Sequence, residues 1–210
     1  MRETESPPLY RVTETQLKYK KIDWARNIKM EEKMRSAQDK KGGGLVIATS
    51  NKECLLRGLP NKSDDLLIVE IEVWNVKIVI MLIYLDVKDK ERNRKIVEDL
   101  EMNLERREEK NVLLMGDFNG HLGFIGMQEL NYNGQIVLQT MERYNLALLN
   151  GAEECQGTNT REQGGHRSAI YSMLVNVIFR ALTSAATSSA HYLRRYFFGS
   201  ARASAATIQN

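Results

Sequence analysis

The residues of this sequence that are best suited to catalysis or ligand binding are a carboxylate and an amide two positions apart. Asp117 and Asn119 stand in GDFN, directly after an apolar run at residues 112–115 that is short enough for a buried strand. Gly116 lets the backbone turn sharply at the end of that run. The pattern therefore predicts that both side chains lie at the carboxyl end of a strand, where layered α/β folds often hold ligands and catalytic groups.

Such a pair suits chemistry on phosphodiesters. Metal-assisted cleavage needs carboxylates for the cation, an amide or hydroxyl to orient the phosphate, and usually a general base for the water. Asp117 and Asn119 have the types for the first two tasks, and both can reach one site if the chain bends between them. Asp and Asn after a glycine are also ordinary turn formers, so the local pattern leaves a simple turn and a catalytic site both open.

The elements that would position this pair alternate between strands and helices. LVIATS, after the glycines at 42–44, predicts a strand, and the apolar runs LLIVEIEVW and KIVIMLIYL around Asn75 and Val76 predict an antiparallel hairpin. Charged residues 90–110 carry apolar positions at helical spacing, residues 134–144 repeat that pattern, and LALLN reads as a strand. This order favours an α/β sandwich. Residues 10–41 are charged throughout, which favours helical segments and solvated loops.

Length and composition limit the classes of protein to consider. With 210 residues and 42% hydrophobic content, the chain suits one α/β domain with a substantial core. A net charge of +3 argues against a strongly basic nucleic-acid scaffold but leaves room for a local basic groove. No acidic residue follows Glu162, so the tail is positively charged. Residues 179–210 are Ala/Ser-rich and weakly periodic, and we predict them to be disordered.

Cysteine content and hydropathy predict where the chain works. Cys54 and Cys155 are too few for a disulfide framework and lack zinc-ligand spacing, so we expect a reducing, intracellular setting and no disulfide partner. The longest apolar run, residues 78–85, is well short of the roughly 20 residues that span a bilayer. The N-terminus lacks the apolar core of a signal peptide. These features predict a cytoplasmic or nuclear protein with no membrane partner.

A longer pattern around GDFN resembles a known family. GDFNGHLGFIG followed by NYNGQIVLQTMERYNLALLN is similar to the endonuclease/exonuclease/phosphatase superfamily, and in particular to the endonucleases that non-LTR retrotransposons carry alongside reverse transcriptase. KKGGGLVIAT, IVIMLIYLD and HRSAIYSMLVN extend the resemblance, which covers residues 10–178. It implies an incomplete α/β sandwich of this superfamily's type over that range. Residues 1–9 would be a leader and residues 179–210 a tail, both outside the family domain.

The resemblance also implies roles for individual residues. By motif position, Asp117 would orient the attacking water and Asn119 would contact the phosphate. Tyr84, in IYLD, matches the family's active-site tyrosine, and Glu14, in VTETQLK, matches its metal-binding glutamate. Ser168 matches a position close to the substrate phosphate. The implied cofactor is Mg2+ and the implied substrate is DNA.

Departures from the family pattern are equally specific. The family motif continues its Ser-Ala-Ile with an aspartate, whereas Tyr171 follows Ile170 directly here. The family's terminal Ser-Asp-His motif has no counterpart, because His191 is the one histidine after Tyr171 and no aspartate follows it. The family's first strand should precede Glu14, and little sequence does. His121, next to GDFN, is predicted to be structural. These departures predict a degenerate domain truncated at both ends.

Three hypotheses of function remain open at this level. The first is a degenerate retrotransposon endonuclease domain with little or no activity. The second is residual Mg2+-dependent hydrolysis of DNA or of a smaller phosphoester. The third is a non-catalytic module whose tail binds nucleic acid or a partner through Arg194, Arg195, Tyr196 and Phe197.

Overall fold

The computed structural model describes the central part of the chain and several flanking strands. The described residues are 9–13, 29–33, 44–49, 54–73, 75–107, 111–123, 129–148, 161–163, 166–168 and 171–176. In chain order they form the strands and helices β1 (Leu9–Thr13), β2 (Lys29–Lys33), β3 (Leu45–Thr49), β4 (Leu55–Leu59), β5 (Leu66–Val73), β6 (Val76–Tyr84), α1 (Lys90–Glu105), β7 (Asn111–Asp117), α2 (Tyr132–Arg143), β8 (Leu146–Leu148), β9 (Arg161–Gln163), β10 (His166–Ser168) and β11 (Tyr171–Asn176).

The strands form one large sheet and two smaller ones. The large sheet has six strands in the order β4, β5, β6, β7, β11, β8. β6 and β7 pair in parallel, and every other neighbouring pair in this sheet is antiparallel. β3 lies between β1 and β2 in an antiparallel sheet, and β9 pairs with β10. The parallel pair is what brings two strand ends of the same polarity to one edge.

The hairpin predicted from two apolar runs is confirmed as β5 and β6. The two strands pair from Leu66 with Ile83 to Val73 with Val76. Asn75, in the turn, has a φ of 61°, a left-handed conformation that asparagine adopts more readily than most residues. Between β5 and β7, the side chains of β6 from Ile78 to Ile83 are at most 1% exposed.

Each face of the large sheet is covered by a different layer. On one face, Ile78, Ile80 and Leu82 of β6 pack in a cluster with Leu45 and Ile47 of β3, so the three-stranded sheet covers this side. On the other face, the alternate residues of β6 pack in a second cluster with apolar residues of α1 and α2. Alternation of side chains along each strand produces this division. The predicted α/β class is confirmed.

Two sequence-based expectations need correction. Residues 9–13 and 29–33 are strands, whereas helical segments and solvated loops were expected across residues 10–41. Their neighbour β3 is buried along its whole length, so its backbone needs a partner on each side. α2 begins at Tyr132, two residues before the predicted start at Gly134, because Asn131 caps it. Neither α1 nor α2, the helices of the described residues, is long and apolar enough to cross a membrane.

Candidate functional site

The candidate site forms where β6 and β7 end side by side. Tyr84 and Asp117 are the last residues of these strands and are directly paired in the parallel register. Alternation places them on one face of the sheet, in line with Leu82 and Met115 of the core cluster shared with β3. Tyr84 is 8% exposed and Asp117 is 7% exposed. The structure therefore brings two of the sequence-predicted residues together at one sheet edge.

Gly116 does not turn the chain as the sequence suggested. β7 continues through Gly116 to Asp117, and the left-handed residue that bends the chain is Asn119, with a φ of 46°. Gly116 itself has a φ of 144°, and a Cβ there would overlap the carbonyl oxygen of Ile83 on β6. Glycine is thus required for the close approach of the two strands beside Asp117.

Asn119 joins the loops that follow the two strands. We call residues 85–86 the β6 exit and residues 118–121 the β7 exit. The backbone N–H of Asn119 donates to Oδ1 of Asp117 at 3.0 Å, and its side-chain Nδ2 donates to the carbonyl oxygen of Leu85 at 2.8 Å. The N–H of Leu85 donates to the carbonyl oxygen of Asp117 at 2.9 Å. These bonds orient the Asp117 carboxylate and tie the two exits together.

Helix α2 holds the β7 exit through its capping residue. Oδ1 of Asn131 accepts from the N–H of Gly134 at 2.8 Å, which caps the helix, and from the N–H of His121 at 2.9 Å. Nδ2 of Asn131 donates to the carbonyl oxygen of Asn119 at 2.9 Å. One amide therefore satisfies a helix end and fixes the turn at the site.

The two helices begin with different electrostatics at this edge. α1 has Asp89 as its cap and Glu91 in its first turn, so its N-terminal partial charge is met by carboxylates. α2 has the neutral Asn131 as its cap and no acid in its first turn. Its partial positive charge is thus not met by a carboxylate in its own cap or first turn, and it faces the β7 exit that follows Asp117.

The residues present fit a hard cation that keeps several waters. The described residues contain no group of three or more His, Cys, Asp or Glu side chains placed to hold a metal. The Asp117 carboxylate is the one acidic side chain at the paired strand ends of the described residues, and Mg2+ is commonly held by one or two carboxylates together with substrate oxygens. The donor set suits Mg2+ and does not suit a zinc site built from nitrogen and sulfur.

The remaining sequence-predicted residues are placed only in part. Glu14 follows the last residue of β1 and lies outside the described residues. Ser168 ends β10, three positions before Tyr171, which opens β11 and pairs with Asp117 from the side opposite Tyr84. His121 contributes its backbone N–H and carbonyl to Asn131. The roles assigned to these residues stay predictions, and the tail at 179–210 is outside the described residues.

Sequence reasoning missed the asparagines that surround the site. Asn93, Asn131 and Asn133 are all hydrogen-bonded to the strand exits. One signal was available, because the asparagine of NYNG directly before an apolar-periodic segment is a typical helix cap. Asn93 lies among charged residues at the start of α1, and nothing in the pattern of that helix marks it.

Comparison with known proteins identifies the fold. No protein-family model matches the chain, and no curated protein matches it either. Among solved structures, it is similar to the endonuclease domain of TRAS1, a telomere-specific non-LTR retrotransposon, with a TM-score of 0.64 and 15% identity over 83% of this chain and 75% of that one.

Two further solved structures are also similar to the chain. The catalytic domain of human Nocturnin with bound sulfate has a TM-score of 0.54 and 11% identity over 81% of this chain and 69% of that one. An endonuclease/exonuclease/phosphatase family protein from Leptotrichia buccalis has a TM-score of 0.51 and 11% identity over 80% of this chain and 75% of that one. The chain therefore has the endonuclease/exonuclease/phosphatase fold, and the fold that the resemblance of its motifs implied is confirmed.

Proposed function

We propose that this chain is a degenerate endonuclease domain of the retrotransposon type. Its site would receive a phosphodiester of DNA beside Mg2+ and would hydrolyse it slowly or not at all. The observation that carries the proposal is that Tyr84 and Asp117 lie side by side in the strand register. Asn119 is hydrogen-bonded to Asp117 and to Leu85, the residue that follows β6. These are the residues that the family motifs assign to the catalytic centre, and they lie together at one edge of a sheet with the family's fold.

The hydrogen bonds of the site are consistent with these roles. Asn119 gives one side-chain N–H to Leu85, and an amide has a second N–H that could donate to a phosphate oxygen. Asp117 accepts the backbone N–H of Asn119 at Oδ1. This bond fixes the orientation of the carboxylate, which would help it to bind a water or a cation. When bound, Mg2+ would neutralise phosphate charge. Asp117 and, by resemblance, Glu14 would hold it.

The departures from the family support weak or absent hydrolysis. Beside Asp117 on β11 stands Tyr171, in the motif where the family carries an aspartate, and a tyrosine cannot supply a carboxylate. The sequence also lacks the Ser-Asp-His motif that supplies the family's histidine. Catalytic groups act as a unit, and loss of the base alone can cost several powers of ten in rate.

Plasmid nicking by the purified chain tests the proposal. Supercoiled DNA is incubated with and without Mg2+, with the wild type, with Asp117→Asn and with Asp64→Asn. Asp64 is an exposed aspartate on the loop before β5, outside the two strand exits, so its substitution removes a carboxylate and leaves Tyr84, Asp117 and Asn119 unchanged. Each protein is first shown to unfold cooperatively, and binding of a labelled oligonucleotide is measured in parallel.

The outcomes distinguish residual hydrolysis from DNA binding without catalysis. Nicking that requires Mg2+ and Asp117, and that survives Asp64→Asn, would establish residual hydrolysis. Mg2+-dependent oligonucleotide binding without nicking, again sensitive only to Asp117, would establish a non-catalytic site. A folded wild type that neither binds nor nicks DNA would contradict the proposal.

A further inference from the structure

We propose that Asn133 is a positioning residue that sets the geometry of the Asp117–Asn119 turn from helix α2. Its side chain binds the β6 exit and the β7 exit at once, so the turn is held by the helix layer as well as by the sheet. The inference takes this turn as the working part of the site and in that respect rests on the proposed function. The property it concerns, the rigidity of the turn, can be measured without substrate.

All of the hydrogen-bonding groups of the Asn133 side chain that face the exits are used. Asn133 is 3% exposed, and its Nδ2 donates to the carbonyl oxygen of Asp86 at 3.0 Å and to that of Phe118 at 3.1 Å. Its Oδ1 accepts from Nδ2 of Asn93 at 3.0 Å. Two carbonyl oxygens converge on one amide nitrogen, so a carboxylate of the same shape could not replace it.

One of the two carbonyls lies between the residues that would do chemistry, and the other lies next to the residue to which Asn119 donates. Phe118 stands between Asp117 and Asn119, and Asp86 follows Leu85, whose carbonyl oxygen accepts from Asn119. Asn133 therefore fixes the backbone next to both ends of the Asn119 cross-link. A shift of Phe118 would move the Asp117 carboxylate and the Asn119 amide together.

Asn93 extends this arrangement to the other helix. Asn93 is 1% exposed, its Nδ2 also donates to the carbonyl oxygen of Asp86 at 2.7 Å, and its Oδ1 accepts the N–H of Asp86 at 2.8 Å. The pair Asn93 and Asn133 thus links α1, the two exits and α2 in one continuous set of buried bonds. Such a set is worth more than isolated contacts because every polar group in it is satisfied in one geometry.

The control for Asn133 is a second buried asparagine that is equally well hydrogen-bonded but lies away from the two strand exits. Asn103 is 2% exposed on α1, donates through Nδ2 to the carbonyl oxygen of Asp99 at 2.8 Å and to its Oδ1 at 3.1 Å, and accepts from Nη1 of Arg107 at 2.7 Å. It has the same number of side-chain bonds as Asn133. It lies ten residues from Asn93, about 15 Å along the helix.

Amide hydrogen exchange read by NMR on the full chain separates the two roles. The reporter is the backbone N–H of Asn119, compared in each protein with the N–H of Ile80 at the centre of the large sheet. We expect Asn133→Ala to raise the Asn119 exchange rate about 5- to 30-fold relative to Ile80, as loss of one or two buried hydrogen bonds allows. Asn103→Ala should lower Tm about as much as Asn133→Ala does, but it should leave the ratio of the Asn119 exchange rate to the Ile80 exchange rate unchanged.

A second variant controls for volume and for failure to fold. Asn133→Asp keeps the shape of the side chain and replaces two donors by oxygen lone pairs that face two carbonyls, so it should raise the ratio at least as much as alanine. A wild-type ratio in Asn133→Asp would overturn the proposal, because the alanine effect would then come from lost volume. Equal changes at Asn119 and Ile80 would overturn it too, and so would loss of folding in both Asn133 variants while Asn103→Ala folds.

The exchange measurement stands apart from the fate of the proposed function. It uses protein without DNA or Mg2+, so a wild type that never nicks DNA leaves the result intact. If the wild type nicks DNA, Asn133→Ala should lower the nicking rate and Asn103→Ala should keep it. Equal nicking rates in these two variants would count against positioning by Asn133.

Discussion

Replacement of Gly116 by alanine tests the close approach of β6 and β7 directly beside Asp117. An added Cβ would overlap the carbonyl oxygen of Ile83 and would lie 2.9 Å from the carbonyl carbon and the nitrogen of the same residue. All three atoms belong to the backbone of β6, an interior strand of the large sheet, so they cannot rotate away as a side chain could. The strands must separate at the pair Ile83 and Gly116, directly next to the pair Tyr84 and Asp117.

The expected cost has two parts. The φ of 144° at Gly116 is a conformation that side chains rarely adopt, and such strain costs about 1–3 kcal/mol. Overpacking of a buried region adds about 1–3 kcal/mol. The free energy of unfolding should therefore fall by about 2–6 kcal/mol, a large fraction of the roughly 5–15 kcal/mol of a typical domain.

Gly123→Ala provides the control for this substitution. Gly123 also has a positive φ, of 78°, but a Cβ there would be 3.7 Å from its nearest neighbour, a side-chain atom of Leu130. It should cost only the backbone term, about 1–2 kcal/mol. Urea unfolding of both variants gives the difference, provided that the m-values agree. Losses within about 0.5 kcal/mol of each other would refute the steric argument for Gly116.

Three further predictions concern the core, the helix cap and a titrating tyrosine. Ile80→Ala, at a fully buried position, should cost about 2–5 kcal/mol in urea unfolding, whereas Leu55→Ala, at 61% exposure, should stay within about 0.5 kcal/mol. Asn131→Ala should lose about 1–2 kcal/mol by the same measurement, because a cap is removed. Burial and a hydrogen bond to Glu105 raise the pKa of Tyr144 to about 12, so ultraviolet titration against Tyr144→Phe should find it there, and lower in Glu105→Gln. Since the folded pKa exceeds the ordinary value of 10.0, this contribution to stability is present below about pH 10 and is lost as the pH rises to about 12.

The elements that the sequence predicted well are those whose pattern is local. β5 and β6 are long apolar runs around a turn residue, and their pairing needs no information from elsewhere in the chain. α1 carries Ile96, Leu100 and Leu104 at helical spacing, and these residues are buried against the sheet. The order of apolar and polar side chains along the chain predicts that one face of the helix and both faces of these strands are buried.

In the three-stranded sheet β3 was predicted but its two edge strands were missed, and the composition of β2 shows why such a strand is hard to find. β2 reads KMEEK, and pairing with β3 rather than its own composition makes it a strand. The same limit applies at the site. The strand ends with Tyr84 and Asp117 could be predicted, but Asn93 and Asn133 bind backbone carbonyls of loops, and a carbonyl partner leaves no pattern of residue types in the sequence.

The hydrogen bonds that hold the two strand exits do not depend on the side chains of β11. The bonds that join the β6 exit and the β7 exit come from the amides of Asn93, Asn119 and Asn133 and from the backbone, and amides do not titrate. None of these bonds involves β11. That strand keeps its ladder to β7 from Tyr171 to Val175, because backbone pairing is indifferent to whether its first side chain is a carboxylate. A substitution at that position can therefore remove a catalytic group and still leave Asp117 in place, which is why binding and hydrolysis have to be measured separately.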